Sequence, residues 1–221
     1  MRMNELLSQP AVRPRLRGAL HGAAFGIAIV VGAVFVNAAE GGRRLVGAAV
    51  FAGAVAAMLG ASTLYHRVTW SPTWRPWMRR DDHAGLYILI AGTYTPVGLL
   101  VVHGAMQHVV LALVWAGAAA ATLLKFCWVD APKWLSVLFG IALGWAGVAS
   151  MPQVAHNAGI ACVILLAAGG LAYTAGAIVY ARRKPDPVPT VFGYHELFHA
   201  LTIVALACQY VAIAFYVVKV G

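Results

Sequence analysis

The chain has 221 residues, of which 62% are apolar and only 10% charged, with a mean hydropathy of +0.79. Soluble domains carry about 25% charged residues, so the composition excludes a soluble enzyme or binding module and indicates an integral membrane protein. The formal net charge of +9 does not indicate a nucleic-acid partner, because the Lys and Arg residues collect in alternate connections between apolar runs, as membrane topology requires.

A helix needs about 20 apolar residues to cross the hydrocarbon core. Seven runs qualify: Ala19–Val36, Leu45–Tyr65, Ala84–Val102, Val109–Phe126, Trp134–Ser150, Ala158–Tyr180 and Leu197–Val218. Residues 1–18 form a tail with Arg2, Arg13, Arg15 and Arg17, but also Glu5 and two prolines. No brief apolar core leads to a small-residue cleavage site, so the tail reads as cytoplasmic and not as a signal peptide. Residues 19–221 are then one all-α domain, a seven-transmembrane helical bundle.

Thirteen of the sixteen Lys and Arg residues lie in the tail and in the second-to-third, fourth-to-fifth and sixth-to-seventh connections. Arg43, Arg44 and Lys219 are left for the other side. The positive-inside rule places the N-terminus in the cytoplasm and the C-terminus outside, with the basic loops against anionic headgroups.

The first span carries His21 near its start, where an interfacial or packing role is the plainer reading, and Gly22, Gly26 and Gly32 offer close helix contacts. The second span ends in Ser62-Thr63-Leu64-Tyr65-His66, which puts Ser62 and His66 on one helix face. Arg67 to Arg80 follows as an interfacial loop with Trp70, Trp74 and Trp77. The third span opens at Asp81-Asp82-His83, where the helix dipole favours a carboxylate at the start, and Pro96 is expected to kink it. Spans four to six hold no acidic residue, with His103, His108 and His156 in short outer connections and Lys125, Asp130 and Lys133 bracketing an inner loop. Cys127, Cys162 and Cys208 show no spacing for a disulfide framework or a thiolate metal site. A proline-stiffened linker, Arg182 to Pro189, leads to Tyr194-His195-Glu196-Leu197-Phe198-His199 at the mouth of the seventh span.

Topology brings these motifs to one leaflet. His195 and His199 are four apart and share a face, and His66 joins them from another helix. Three imidazoles from two helices suit a Zn2+ ion with one open position, with Asp82 and Ser62 placed to hold a water beside it. His195 to His199 also fits the short H-E-x-x-H pattern of zinc proteases, in which the Glu is the base. Five residues are a weak match, and Asp82 is the one further acidic ligand available.

Arg-Pro-Arg-Leu-Arg-Gly before the first span, Ser62 to His66, Asp82-His83 followed by Ile90 to Pro96, and His195 to His199 together resemble the bacterial hemolysin III family of the progestin and adipoQ receptor superfamily. The resemblance covers nearly the whole chain in order. It implies a multi-pass protein of the bacterial inner membrane, zinc on His66, His195 and His199, Ser62 and Asp82 beside it, and kinship with membrane ceramidases. Relatives carry an acidic, asparagine-containing stretch ending in Thr-His before the first span; here only Gly-Ala-Leu-His21 stands, which leaves a role for His21 in doubt.

Three functions follow. The first is a zinc-dependent hydrolase of lipid amide or ester bonds, with Asp82 or Glu196 moving the proton and a membrane lipid as substrate. The second is a non-enzymatic regulator with a structural zinc. The third is a pore or cytolysin, which the gathering of polar residues at one end disfavours.

Overall fold

The computed structural model describes residues 14–128 and 130–220, so Arg2, Glu5 and Arg13 of the tail lie outside the described residues. Among the described residues, seven helices are long and apolar enough to cross a membrane. They are α1 (Ala19–Ala38), α2 (Arg43–Arg67), α3 (Arg75–Leu100), α4 (Gly104–Cys127), a broken fifth unit, α7 (Ile160–Arg182) and α8 (Tyr194–Ala212), the last continued by a π-helical turn at Ile213–Val217. The fifth crossing runs from Lys133 to Ala158 as α5 (Lys133–Trp145), a 3-10 turn at Val148–Ser150, and α6 (Met151–Ala158).

The break in the fifth crossing has a local cause. Glycines at 144 and 147 weaken the helix, and Tyr94 of α3 takes up the freed backbone groups. Its hydroxyl donates to the Gly144 carbonyl at 2.7 Å and accepts from the Gly147 N–H at 3.1 Å. A Cβ at Gly147 would overlap the Tyr94 ring. The crossing therefore extends beyond the expected end at Ser150, and His156 belongs to α6 and not to a connection. His108 likewise lies inside α4.

One further boundary differs from the sequence reading. Helix α3 begins at Arg75, so Trp77 is helical and Asp82 sits about two turns in, past the first turn where a helix dipole acts on charge. The helix also continues through Pro96 to Leu100, where the hydroxyls of Thr93 and Thr95 donate to the carbonyls of Leu89 and Ala91. Gly26 meets nothing that a side chain would touch, whereas Gly22 and Gly32 pack against Thr63 and Ala52.

Helices α2 and α3 pack more extensively than any other pair, followed by α7 and α8. Small residues make the first contact possible, as expected where lipid supplies no hydrophobic force between helices. Cβ atoms at Gly47 and Gly85 would stand 3.1 Å from the backbones of Pro96 and Met58, and one at Gly92 would overlap Ala54. Met58, Leu59, Leu89 and Leu206 are buried together below the histidines, and Val97, Val101, Val154, Cys162 and Val217 fill the far end. Ile27, Val30, Ile160 and Ile164 point outward and are more than 60% exposed, as a lipid-facing surface permits.

Residues 14–18, residues 68–74, residues 130–132 and the connection 183–193 meet at one end, the basic end. Arg79 pairs with Asp130 at 2.7 Å. The N–H groups of Arg15 and Leu16 donate to the carbonyls of Thr190 and Val191, so the chain before α1 is strapped onto the linker before α8. All three cysteines are free.

Candidate metal centre

Three helices deliver the centre at the basic end. Helix α2 ends with Ser62 and His66 one turn apart, α3 contributes Asp82, and α8 opens with His195 and His199 one turn apart. The start of α8 is fixed by its acids: the Gly193 N–H donates to Glu196 Oε2 at 3.0 Å, and the Tyr194 N–H to Asp186 Oδ1 at 2.7 Å. These bonds satisfy donors that every helix start leaves open. They also set the register of both histidines.

One ligand nitrogen from each of His66, His195 and His199 lies within 4.8 Å of the other two. The Nε2 atoms of His66 and His195 are 3.2 Å apart. Tetrahedral bonds of about 2.1 Å put ligand nitrogens about 3.4 Å from one another, so a small inward movement of His199 completes a set that fits a metal ion. His66 is 6% exposed and His199 2%, and His199 Nδ1 is buried without a hydrogen-bond partner among the described residues. Imidazoles crowded in this way in an apolar surround, with one nitrogen unsatisfied, are what a cation site requires.

Asp82 Oδ2 is 3.7 Å from His66 Nε2, and the Asp82 carboxyl also meets the Ser62 hydroxyl. Ser62 Oγ stands 2.9 Å from His21 Nδ1. With the Nδ1–H tautomer, His21 donates to Ser62, which is then free to donate to Asp82, so a chain of hydrogen bonds holds the carboxylate beside the histidines. His21 is 1% exposed and stacks on His199, with ring centroids 3.7 Å apart and planes 7° apart. The structure thus places His21, whose role the sequence left open, beside the three histidines. Its signal was already present in the sequence as an ionisable residue inside an apolar span, which normally faces the bundle interior.

Glu196 is placed differently. Its Oε1 pairs with Arg17 Nε at 2.7 Å, its Oε2 accepts from Gly193, and it does not line the cavity described next. Arg17 was counted in the sequence only as topological charge. Beside it, Gly18 has φ of +75°, and a Cβ there would stand 2.5 Å from His66 Cβ. A glycine is required, because the strap turns directly over His66.

The centre opens on a cavity of about 410 Å³. Its basic end is lined by His21, Ser62, Asp82, His195 and His199, and the remainder chiefly by apolar residues such as Leu86, Ile90, Ile141, Val163 and Leu166. Along α3 the lining runs from Asp82 to Val97, about 22 Å at 1.5 Å per residue. This exceeds half of the roughly 30 Å hydrocarbon core, enough for one extended long acyl chain. Chemically, the arrangement offers a three-nitrogen cation site, a carboxylate beside it and an apolar slot leading away.

The model of a family described as haemolysin-III related matches residues 10–210. The chain is 30% identical over 160 residues to a hemolysin-3 homolog of Bacillus subtilis (strain 168), covering 72% of each. It is 31% identical over 136 residues to a hemolysin-3 of Bacillus cereus, covering 62% of this chain and 59% of that relative.

Proposed function

Starting from the fact that the chain belongs to the haemolysin-III-related family, we propose that it is a zinc-dependent hydrolase of lipid amide or ester bonds in the bacterial inner membrane, acting in membrane lipid homeostasis. The observation that carries the reading is the juxtaposition of three histidines and Asp82 with an apolar slot about 22 Å long. His66, His195 and His199 would hold the zinc. A bound zinc ion supplies Lewis-acid polarisation of a carbonyl and makes water more acidic.

The residues of the chain do the rest. The cavity takes the acyl chain and places the bond to be cleaved at the histidine end. Asp82, held by Ser62 and through it by His21, accepts the proton of the attacking water and returns it to the leaving group. Glu196 is occupied by Arg17 and Gly193, so its role is to position His195 and not to act as a base. The protease pattern in His195 to His199 therefore lacks a free carboxylate. The family name points to cytolysis, but the charged lining residues of the cavity gather at its basic end, which does not suit a water-filled path across the membrane.

The test is a paired assay of zinc content and lipid turnover. Asp82→Asn keeps the size of the side chain and removes the base, so zinc stays near one equivalent while turnover of an amide- or ester-linked lipid falls roughly 10²–10⁴-fold. Glu196→Gln has the smaller effect on turnover. Undiminished turnover in Asp82→Asn, or none by the unaltered protein across a broad set of such lipids, refutes the enzyme.

A further inference from the structure

One charged residue that lines the cavity takes no part in the metal centre. Lys125 lies in the last turn of α4 and was expected to bracket a loop, yet it is 2% exposed and lines the same cavity as Asp82 and His195. A lysine near a helix end ordinarily extends its stem and leaves the ammonium in the headgroup layer. Lys125 turns inward.

Among the described residues, no hydrogen bond or ion pair reaches its ammonium. The one carboxylate that acts on it, Asp130, is already paired with Arg79. His83 lines the cavity as well, and its buried Nδ1 has no hydrogen-bond partner among the described residues. His83 and Tyr87 are four apart and share a face of α3, and the Tyr87 hydroxyl donates to the carbonyl of Ser136 at 3.3 Å. Ser136 is a third lining residue. His83 is within electrostatic reach of Lys125, Arg79 and Lys133, and the Lys133 ammonium stands 4.4 Å over the ring of Tyr180, which also lines the cavity. Lys125 is thus the cation that lines this end of the cavity, with Arg79 and Lys133 within electrostatic reach of His83 behind it and the Asp82 carboxyl, held by Ser62, on the same end.

An inward-turned charge without a partner is costly, and in a membrane helix it marks a ligand or a transported group. We propose that Lys125, His83 and Ser136 form an anion site at the basic end of the cavity that binds the phosphate of a lipid headgroup, with the lipid chain in the apolar slot. Three donors on one wall suit the several oxygens of a phosphate better than the two of a carboxylate, and lysine serves such groups as a point charge. The site is separate from the three histidines and stands whether or not they carry zinc.

Native mass spectrometry of the protein taken from bilayers of equal phosphatidylglycerol and phosphatidylcholine tests this. The unaltered protein should retain about one phosphatidylglycerol per chain, the complement of a single site, well above the bulk ratio. Lys125→Met should lower that enrichment about tenfold, the factor given by one lost charged contact of roughly 1.4 kcal/mol, while Lys125→Arg keeps most of it. Zinc content should be the same in all three, which separates failure here from failure of the metal centre. Lys125→Met should also melt no lower than the unaltered protein once lipid is stripped, since it removes a charge that has no ion pair among the described residues. Inorganic phosphate that displaces the retained lipid at millimolar concentration identifies free phosphate as a second occupant of the same site; no displacement assigns the site to the headgroup. Enrichment unchanged in Lys125→Met overturns the proposal. If that variant does not accumulate, absence of phosphatidylglycerol enrichment on the unaltered protein overturns it equally.

Discussion

Removing the guanidinium of Arg17 tests whether the strap before α1 holds the metal centre in place. Glu196 is fully buried, with one oxygen on Arg17 at 2.7 Å and the other on the Gly193 N–H. Arg17→Met leaves that carboxylate with a single donor. Breaking a buried pair from one side costs about 3–5 kcal/mol, and because the Arg17 side chain is 22% exposed, solvent screening brings the expected cost to roughly 2–3 kcal/mol. For a chain of this size, 1 kcal/mol shifts the melting temperature by about 2–4 °C, so a loss of about 4–12 °C is expected in a detergent-solubilised thermal melt. The double variant Arg17→Met with Glu196→Gln removes the orphaned charge and should recover more than half of the loss. The single variant should also bind less zinc, since His195 precedes Glu196 on α8. A single variant melting within a degree of the unaltered protein, or a double variant no better than the single one, would refute the reasoning.

Three other outcomes are expected. Elemental analysis should find about one zinc per chain, lowered by Ala at His66, His195 or His199, because binding and the fold that presents the ligands are coupled; stoichiometric zinc in the triple variant would remove the assignment. Gly92→Leu places atoms inside the space of Ala54, and overpacking of about 1–3 kcal/mol should lower the melting temperature and the zinc content together, whereas Gly26→Leu, which meets nothing, should leave both near normal. Impermeant thiol labelling of a Lys219→Cys variant in intact cells should succeed, with the thirteen-to-three charge asymmetry as the reason; labelling only after lysis would reverse the orientation.

The seven crossings and the meeting of His66, His195 and His199 could be read from the sequence because each rests on local arithmetic: runs near 20 residues, and pairs spaced by four. What could not be read depends on contacts between segments distant in the chain. Asp82 looked like the start of a helix because Arg79 to Asp81 is charged, yet Trp77 and the pairing of Arg79 with Asp130 extend α3 below it. The fifth crossing looked continuous because nothing in its own sequence reveals that Tyr94 waits at Gly144 and Gly147. Glu196 looked like a catalytic base until Arg17, nearly the whole chain away, was found against it. Lys125 was read as surface charge because composition records a lysine but not the direction of its side chain.

The way the helices pair has a mechanical consequence. His66, Ser62 and Asp82 belong to α2 and α3, joined through Gly47, Gly85 and Gly92, whereas His195 and His199 belong to α8, which packs chiefly on α7. The ligands therefore bridge two separately stiff pairs, with direct packing between α2 and α8 slight. A metal ion held there would act as a clasp across a seam. Pulled from its ends, the loaded protein should resist as one block and rupture in a single high-force event, whereas the metal-free protein should part at the seam first and release α7 and α8 together as a distinct early step.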